Sequence, residues 1–124
     1  MPRTILVVDD DPGLSAPLKD GLEARGYQVV VAADGLQAIQ QACDAKPDLI
    51  ILDFHMPGGG GTAAYTCLRE LGPTRETPIV FLTGVPIAEV QSSLTFDART
   101  YFIAKPAGLD KIVPVIRKAL EEDL

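Results

Sequence analysis

Five short runs of apolar, largely β-branched residues divide the chain: "ILVV" (5–8), "VVVAA" (29–33), "LIIL" (49–52), "IVFL" (79–82) and "YFIA" (101–104). Each is continuous rather than alternating, the pattern of strands covered on both faces. Between the runs lie segments of helix length with apolar residues at helical spacing. Leu14, Leu18 and Leu22 form one set, Leu36, Ile39 and Ala42 a second, and Ile112, Val115, Ile116 and Leu120 a third. Gly26 after the first such segment and Gly72 after the third read as helix stops. Pro17 fits the first helix if Ser15 caps a late start. Pro114 falls inside the fifth helix and predicts a kink there.

Strict alternation of strand and helix implies a parallel sheet with right-handed crossovers. The expected class is α/β: a flavodoxin-like five-stranded parallel sheet of order 2-1-3-4-5 with helices on both faces. At 124 residues, with no repeat, low-complexity tract or linker, residues 1–124 suit a single domain. The initiating methionine so close to the first run favours an N-terminal or stand-alone unit.

Composition changes this picture little. The hydrophobic fraction of 47% beside 23% charged residues is that of an ordinary soluble domain. A net charge of -6 argues against a dedicated nucleic-acid or anionic-membrane surface. No apolar run is long enough to cross a bilayer, and Asp9 interrupts the N-terminus before a signal-peptide core could form. A cytoplasmic location is therefore expected. Cys43 and Cys67 have no Cys or His at ligand spacing and read as small buried residues of a reducing compartment, with neither disulfide nor zinc.

The chemistry lies at the ends of the apolar runs. The first ends in Asp9-Asp10, the third in Asp53, the fourth in Thr83 and the fifth in Lys105. In an open parallel sheet, ligands bind beyond the carboxyl ends of the strands where strand order reverses. Asp9, Asp10 and Asp53 should converge there, with Thr83 and Lys105 at the flank. Three crowded carboxylates need either protonation or a divalent cation, and all-oxygen ligands favour a hard ion such as Mg²⁺. A carboxylate nucleophile, a metal, a hydroxyl donor and an ammonium together meet the needs of phosphoryl transfer. Singly, Lys105 before Pro106 also suits a surface turn, and Thr83 a helix cap.

With these motifs in place, the chain resembles the receiver domain of bacterial response regulators over essentially its whole length. "ILVVDDDP" resembles the family's acidic pair, which implies Asp10 as a direct Mg²⁺ ligand and Asp9 as one acting mostly through water. "LIILDFHMP" resembles the phosphoacceptor motif, which implies that Asp53 takes the phosphoryl group and also binds metal. His55 then occupies the position whose backbone carbonyl completes the metal site. "VFLTG" supplies a switch residue, Thr83; "YFIAKP" supplies Lys105 and places Phe102 at the aromatic switch position, though Phe102 is equally compatible with a plain core aromatic. The resemblance implies a signalling domain rather than an enzyme, one that assists its own phosphorylation and dephosphorylation. Its partners would be a sensor histidine kinase or phosphotransfer protein, and a downstream protein or output domain read through the fourth helix, fifth strand and fifth helix. Two departures bear on loops. Gly60-Gly61, in the run from Gly58, replaces the usual Asp-Gly and should loosen the loop beside Asp53. Ala98-Arg99 replaces the Gly-Ala often found before the fifth strand.

Two other classes compete. A haloacid-dehalogenase-type phosphatase or phosphomutase would use Asp9 within an Asp-x-Asp, and Asp9-Asp10-Asp11 contains one. The Thr expected soon afterwards is missing, because Pro12-Gly13-Leu14 follow, and no acidic metal motif follows Lys105. A flavin binder would want a Ser/Thr/Gly phosphate loop after the first strand, where three acids would repel the phosphate.

Overall fold

A computed structural model describes residues 2–55 and 60–121. Strands β1 (Thr4–Val8), β2 (Gln28–Ala32), β3 (Leu49–Asp53), β4 (Ile79–Thr83) and β5 (Thr100–Ala104) alternate with helices α1 (Pro12–Glu23), α2 (Gly35–Ala45), α3 (Gly60–Glu70), α4 (Ile87–Ser92) and α5 (Leu109–Ala119). All four strand pairings are parallel, and the order is β2-β1-β3-β4-β5. The five apolar runs are thus the five strands, each gaining a polar residue at one end.

Side chains on successive strand positions serve two separate cores. Ile5, Val7, Ile51, Val80 and Leu82 face Leu22 of α1 and Ile112 and Ile116 of α5. Leu6, Val8, Ile50, Leu52 and Phe81 face the alanines of α2 and Ala64, Tyr65 and Leu68 of α3. β3 and β4 are buried along their whole length, so both faces of their apolar stretches are covered, which explains runs without alternation. No helix among the described residues is long and apolar enough to cross a membrane.

Local chemistry sets the helix ends. The Asp34 carboxylate accepts from Gln37 N at 2.8 Å while Gln37 Oε1 accepts from Ala33 N at 2.8 Å, a reciprocal cap that starts α2. At the end of α1, Gly26 takes φ +94°, with its N–H bonded to Glu23 O and the Tyr27 N–H to Leu22 O.

Several expectations change. Asp11, not Ser15, caps α1: its carboxylate accepts from Gly13 N at 2.9 Å. Pro12 at the first helical position needs no N–H partner, so the helix starts early and Ser15 is buried inside it. Pro17 is therefore accommodated within α1, and Pro114 lies on the exposed side of α5. Leu14 and Leu36 are 50% and 71% exposed, not part of the core. Cys43 and Cys67 are exposed as well; the buried positions are their neighbours Ala42 and Leu68. The helix after β4 is only six residues long. Gly58 and Gly59 of the glycine run lie outside the described residues, as do Met56 and Pro57; Gly60 and Gly61 open α3.

Nothing lies within 4 Å of a Cβ placed on Gly26, so a substitution there meets only backbone strain. Gly26→Ala should cost about 1–2 kcal/mol in urea unfolding, and Gly26→Asn less, since Asn tolerates positive φ better.

Candidate functional site

Backbone hydrogen bonds extend the sheet ladder one residue beyond the strands and carry the polar side chains into register. Asp9 N donates to Ala32 O at 3.0 Å, Phe54 N to Leu82 O at 2.9 Å, and Lys105 N to Thr83 O at 2.7 Å. Because β1 and β3 are neighbours, the residues ending them meet at the carboxyl edge of the sheet. Asp9, Asp10 and Asp53 each offer a carboxylate oxygen, all within 4.8 Å of one another. Asp9 and Asp53 are 6% and 4% exposed, whereas Asp10 faces solvent. Lys105 Nζ donates to Asp53 Oδ1 at 2.9 Å, and His55 N donates to the same oxygen at 3.4 Å. The sheet thus brings four of the predicted residues together and gives the buried Asp53 its counter-charge.

Burial is the main influence that lifts the Asp9 carboxyl above its ordinary pKa. The hydrogen bond from Asp11 N, 2.9 Å from Asp9 Oδ1, works against that rise. The nearby charges of Asp53 and Asp10 add to it, and Lys105 opposes it. The third acid of the run, Asp11, has a different job: its carboxylate caps α1 and its N–H holds Asp9. An Asp directly before Pro at a helix start was the sequence signal for that role.

Thr83 is fully buried, and its hydroxyl is engaged in its own loop, donating to Val85 O and accepting from Val85 N, each at 3.0 Å. It is not hydrogen-bonded to Asp53. Phe102 lies opposite Phe81 in the β4–β5 register and stacks on it at 5.8 Å with the rings 8° apart. The His55 side chain is exposed, its ring edge-on to Phe54 at 5.1 Å. A cleft of about 630 Å³ opens beside Asp9 and Lys105, walled by apolar residues of α1 and of the segment leading into α5.

Gly61, which carries no motif of its own, packs directly against the backbone of Asp53. Its N–H donates to Phe54 O at 2.8 Å. A Cβ there would stand 2.6 Å from Asp53 O and 2.9 Å from Phe54 Cα. At Gly61 itself the backbone is therefore hydrogen-bonded and packed closely against the Asp53–Phe54 segment, while Gly58 and Gly59 of the run lie outside the described residues. Signal for this existed in the Gly-Gly pair, but close approach and looseness have the same spelling.

As a donor set, three carboxylates with oxygen atoms in mutual reach suit a hard divalent cation, and no nitrogen or sulfur ligand stands among them. Beside a phosphoryl group, the same cluster with Lys105 provides a nucleophilic oxygen and a fixed positive charge.

The family model "Response regulator receiver domain" matches residues 5–117. Sporulation initiation phosphotransferase F of Bacillus subtilis (strain 168) is 32% identical over 120 residues, covering 97% of this chain and 95% of that protein. The transcriptional regulatory protein PrrA of Mycobacterium tuberculosis is 32% identical over 117 residues, but the chain spans only 49% of its length. Among solved structures, a chemotaxis response regulator of Vibrio cholerae has a TM-score of 0.88 at 27% identity, covering 96% of this chain and 99% of that one. The signal receiver domain of a histidine kinase from Syntrophus aciditrophicus has a TM-score of 0.84 at 31% identity, covering 98% and 92%.

Gly61→Ala should force the Asp53–Phe54 backbone and α3 apart, costing about 1–3 kcal/mol in a thermal melt, as overpacking does. The Lys105 ammonium NMR signal should shift with it. An unchanged Lys105 signal would mean that α3 alone moves and that Gly61 does not position Asp53.

Proposed function

Since the chain belongs to the response-regulator receiver domain family, we propose that Asp53 is its phosphoacceptor and that Mg²⁺ is held by Asp9, Asp10 and Asp53, with the backbone carbonyl of His55. The observation that carries this reading is a buried carboxylate at a strand end, paired with Lys105 and within reach of two further acids. An Asp53 oxygen would attack the phosphorus of a phosphohistidine on a sensor kinase or phosphotransfer protein. The P–N bond breaks as the O–P bond forms, and the imidazole nitrogen leaves with the electron pair. Lys105, already 2.9 Å from Asp53, would follow the charge onto the phosphoryl oxygens. When bound, Mg²⁺ would offset the carboxylate charge and withdraw density from the phosphoryl oxygens.

The domain would act in the cytoplasm as a signalling unit that assists its own phosphorylation and dephosphorylation. The Thr83 hydroxyl would exchange its Val85 partners for a phosphoryl oxygen, and Phe102 would follow it inward. The surface of α4, β5 and α5 would then change for an output partner by population shift. Asp9 as nucleophile, the phosphatase reading, draws no support: Lys105 pairs with Asp53, and Asp9 is tied to Asp11 N.

Acetyl phosphate with Mg²⁺ should add one phosphoryl group, seen as a mass increment that Asp53→Asn abolishes. Label on Asp9 instead would overturn the assignment. Mg²⁺ should also raise the melting temperature, since it binds only the folded cluster. Asp10→Asn should reduce that shift while raising the metal-free melting temperature. Equal shifts in wild type and variant would remove Asp10 from the metal site.

A further inference from the structure

The face of the sheet that carries Thr83 and Phe102 also carries a second polar network, remote from the carboxylates. Phe96, in the segment between α4 and β5, stands edge-on to Phe102 at 5.2 Å and to Phe81 at 5.5 Å. It also meets Tyr65 of α3 at 5.0 Å. Phe102 is thereby enclosed between Phe81 on one side and Phe96 on another.

The next residue decides where Phe96 can be. Asp97 Oδ2 accepts from Arg69 Nε at 2.7 Å and from the Tyr65 hydroxyl at 3.0 Å. Its Oδ1 accepts from Arg69 Nη2 at 3.3 Å, Arg99 N at 2.9 Å and the Thr100 hydroxyl at 3.1 Å. Arg69 is itself fixed. Its Nη1 donates to Thr74 O at 2.9 Å and Thr77 O at 2.6 Å, its guanidinium lies over the Tyr65 ring, and its side chain is only 11% exposed. The Asp97 side chain is 47% exposed, but a two-point guanidinium–carboxylate contact anchored on both sides is more directional than a single-point ion pair.

We infer that the Arg69–Asp97 pair is a latch: it holds Phe96 against Phe102 and so holds the output face in its resting arrangement. The latch rests on the proposed role of Phe102 in reporting phosphorylation at Asp53. Moving Phe102 requires Phe96 to yield, and Phe96 cannot travel far while the neighbouring Asp97 is clamped to α3. Phosphorylation must therefore work against the pair, and anything that weakens the pair shifts the population toward the activated arrangement. The Asp97 carboxyl agrees with a clamped anion. Burial, its largest influence, would raise its pKa, but the bonds from Arg69, Arg99 N and Tyr65 outweigh it and hold the value below the ordinary one.

The test uses Asp97→Asn, which keeps the shape but weakens the pair, and Phe96→Leu, which removes the ring and keeps an apolar plug. Beryllofluoride, a phosphoryl mimic, is titrated in the presence of Mg²⁺, and the Phe102 ring signals are followed by NMR. Because coupling is reciprocal, a loosened latch should tighten beryllofluoride binding about fivefold or more in both variants. The Phe102 signals of the unliganded variants should already lie part-way to their activated positions. Wild-type affinity together with wild-type Phe102 signals in both folded variants would overturn the latch. If the wild type shows no response to beryllofluoride, the phosphoacceptor reading fails. The unliganded Phe102 signals of Asp97→Asn, which keeps every neighbouring ring, then decide the latch alone: displaced if it exists, unmoved if it does not.

Discussion

Negative charge that the fold cannot disperse is the constraint on which the rest of the molecule depends. Asp9 and Asp53 are almost wholly buried, Asp10 stands beside them, and among the groups around them Lys105 brings an ammonium into contact with Asp53. With all four ionised, three carboxylates against one ammonium leave two negative charges in a space a few ångströms wide. Interactions at that range and burial are strong, and desolvated charge is costly unless compensated. The sheet bears that cost through rigidity: ladder bonds at Asp9, Phe54 and Lys105 fix the backbones on which the charges ride. A dication has the charge that balances the deficit. A cluster strained in its absence would therefore have a reason to bind one.

The architecture was legible because it follows from period and length. Uninterrupted runs of four or five apolar residues rich in Val and Ile are the mark of strands covered on both faces in a parallel sheet, and the order β2-β1-β3-β4-β5 then brings Asp9 and Asp53 together. What sequence left open depends on distances between elements. Gly61 reads as one more loop glycine until the Asp53 carbonyl oxygen is seen 2.6 Å from where its Cβ would stand. Cys43 and Cys67 are one position from the buried stripe of their helices, a displacement finer than an apolar count can resolve. Arg69, Tyr65 and Asp97 are up to 32 residues apart, carry no motif, and meet only because the segment before β5 folds back over α3. Asp11 was hidden for the opposite reason: its neighbours Asp9 and Asp10 made it look like part of their cluster, although its carboxylate caps a helix.

The two faces of the sheet differ in what they can do. The face toward α1 and α5 is packed with aliphatic side chains that interlock. The other carries a connected set of rings, from Phe54 beside Asp53 through Phe81 to Phe102, Phe96 and Tyr65. Ring contacts of this kind are directional but individually weak, on the order of 1 kcal/mol each.

Thr83 lies where these properties meet. Its hydroxyl is satisfied as donor and acceptor by the Val85 backbone, so leaving that loop forfeits bonds worth roughly 1 kcal/mol each. A charge-assisted bond to a phosphoryl oxygen is about twice as strong as a neutral one. The margin available to drive such a change would therefore be small, on the order of a single ring contact. Were Thr83 to act as the proposed switch, so fine a balance would make it sensitive to residues far from its chemistry, and the position of Phe96 would then matter to the response as well as the charge on Lys105.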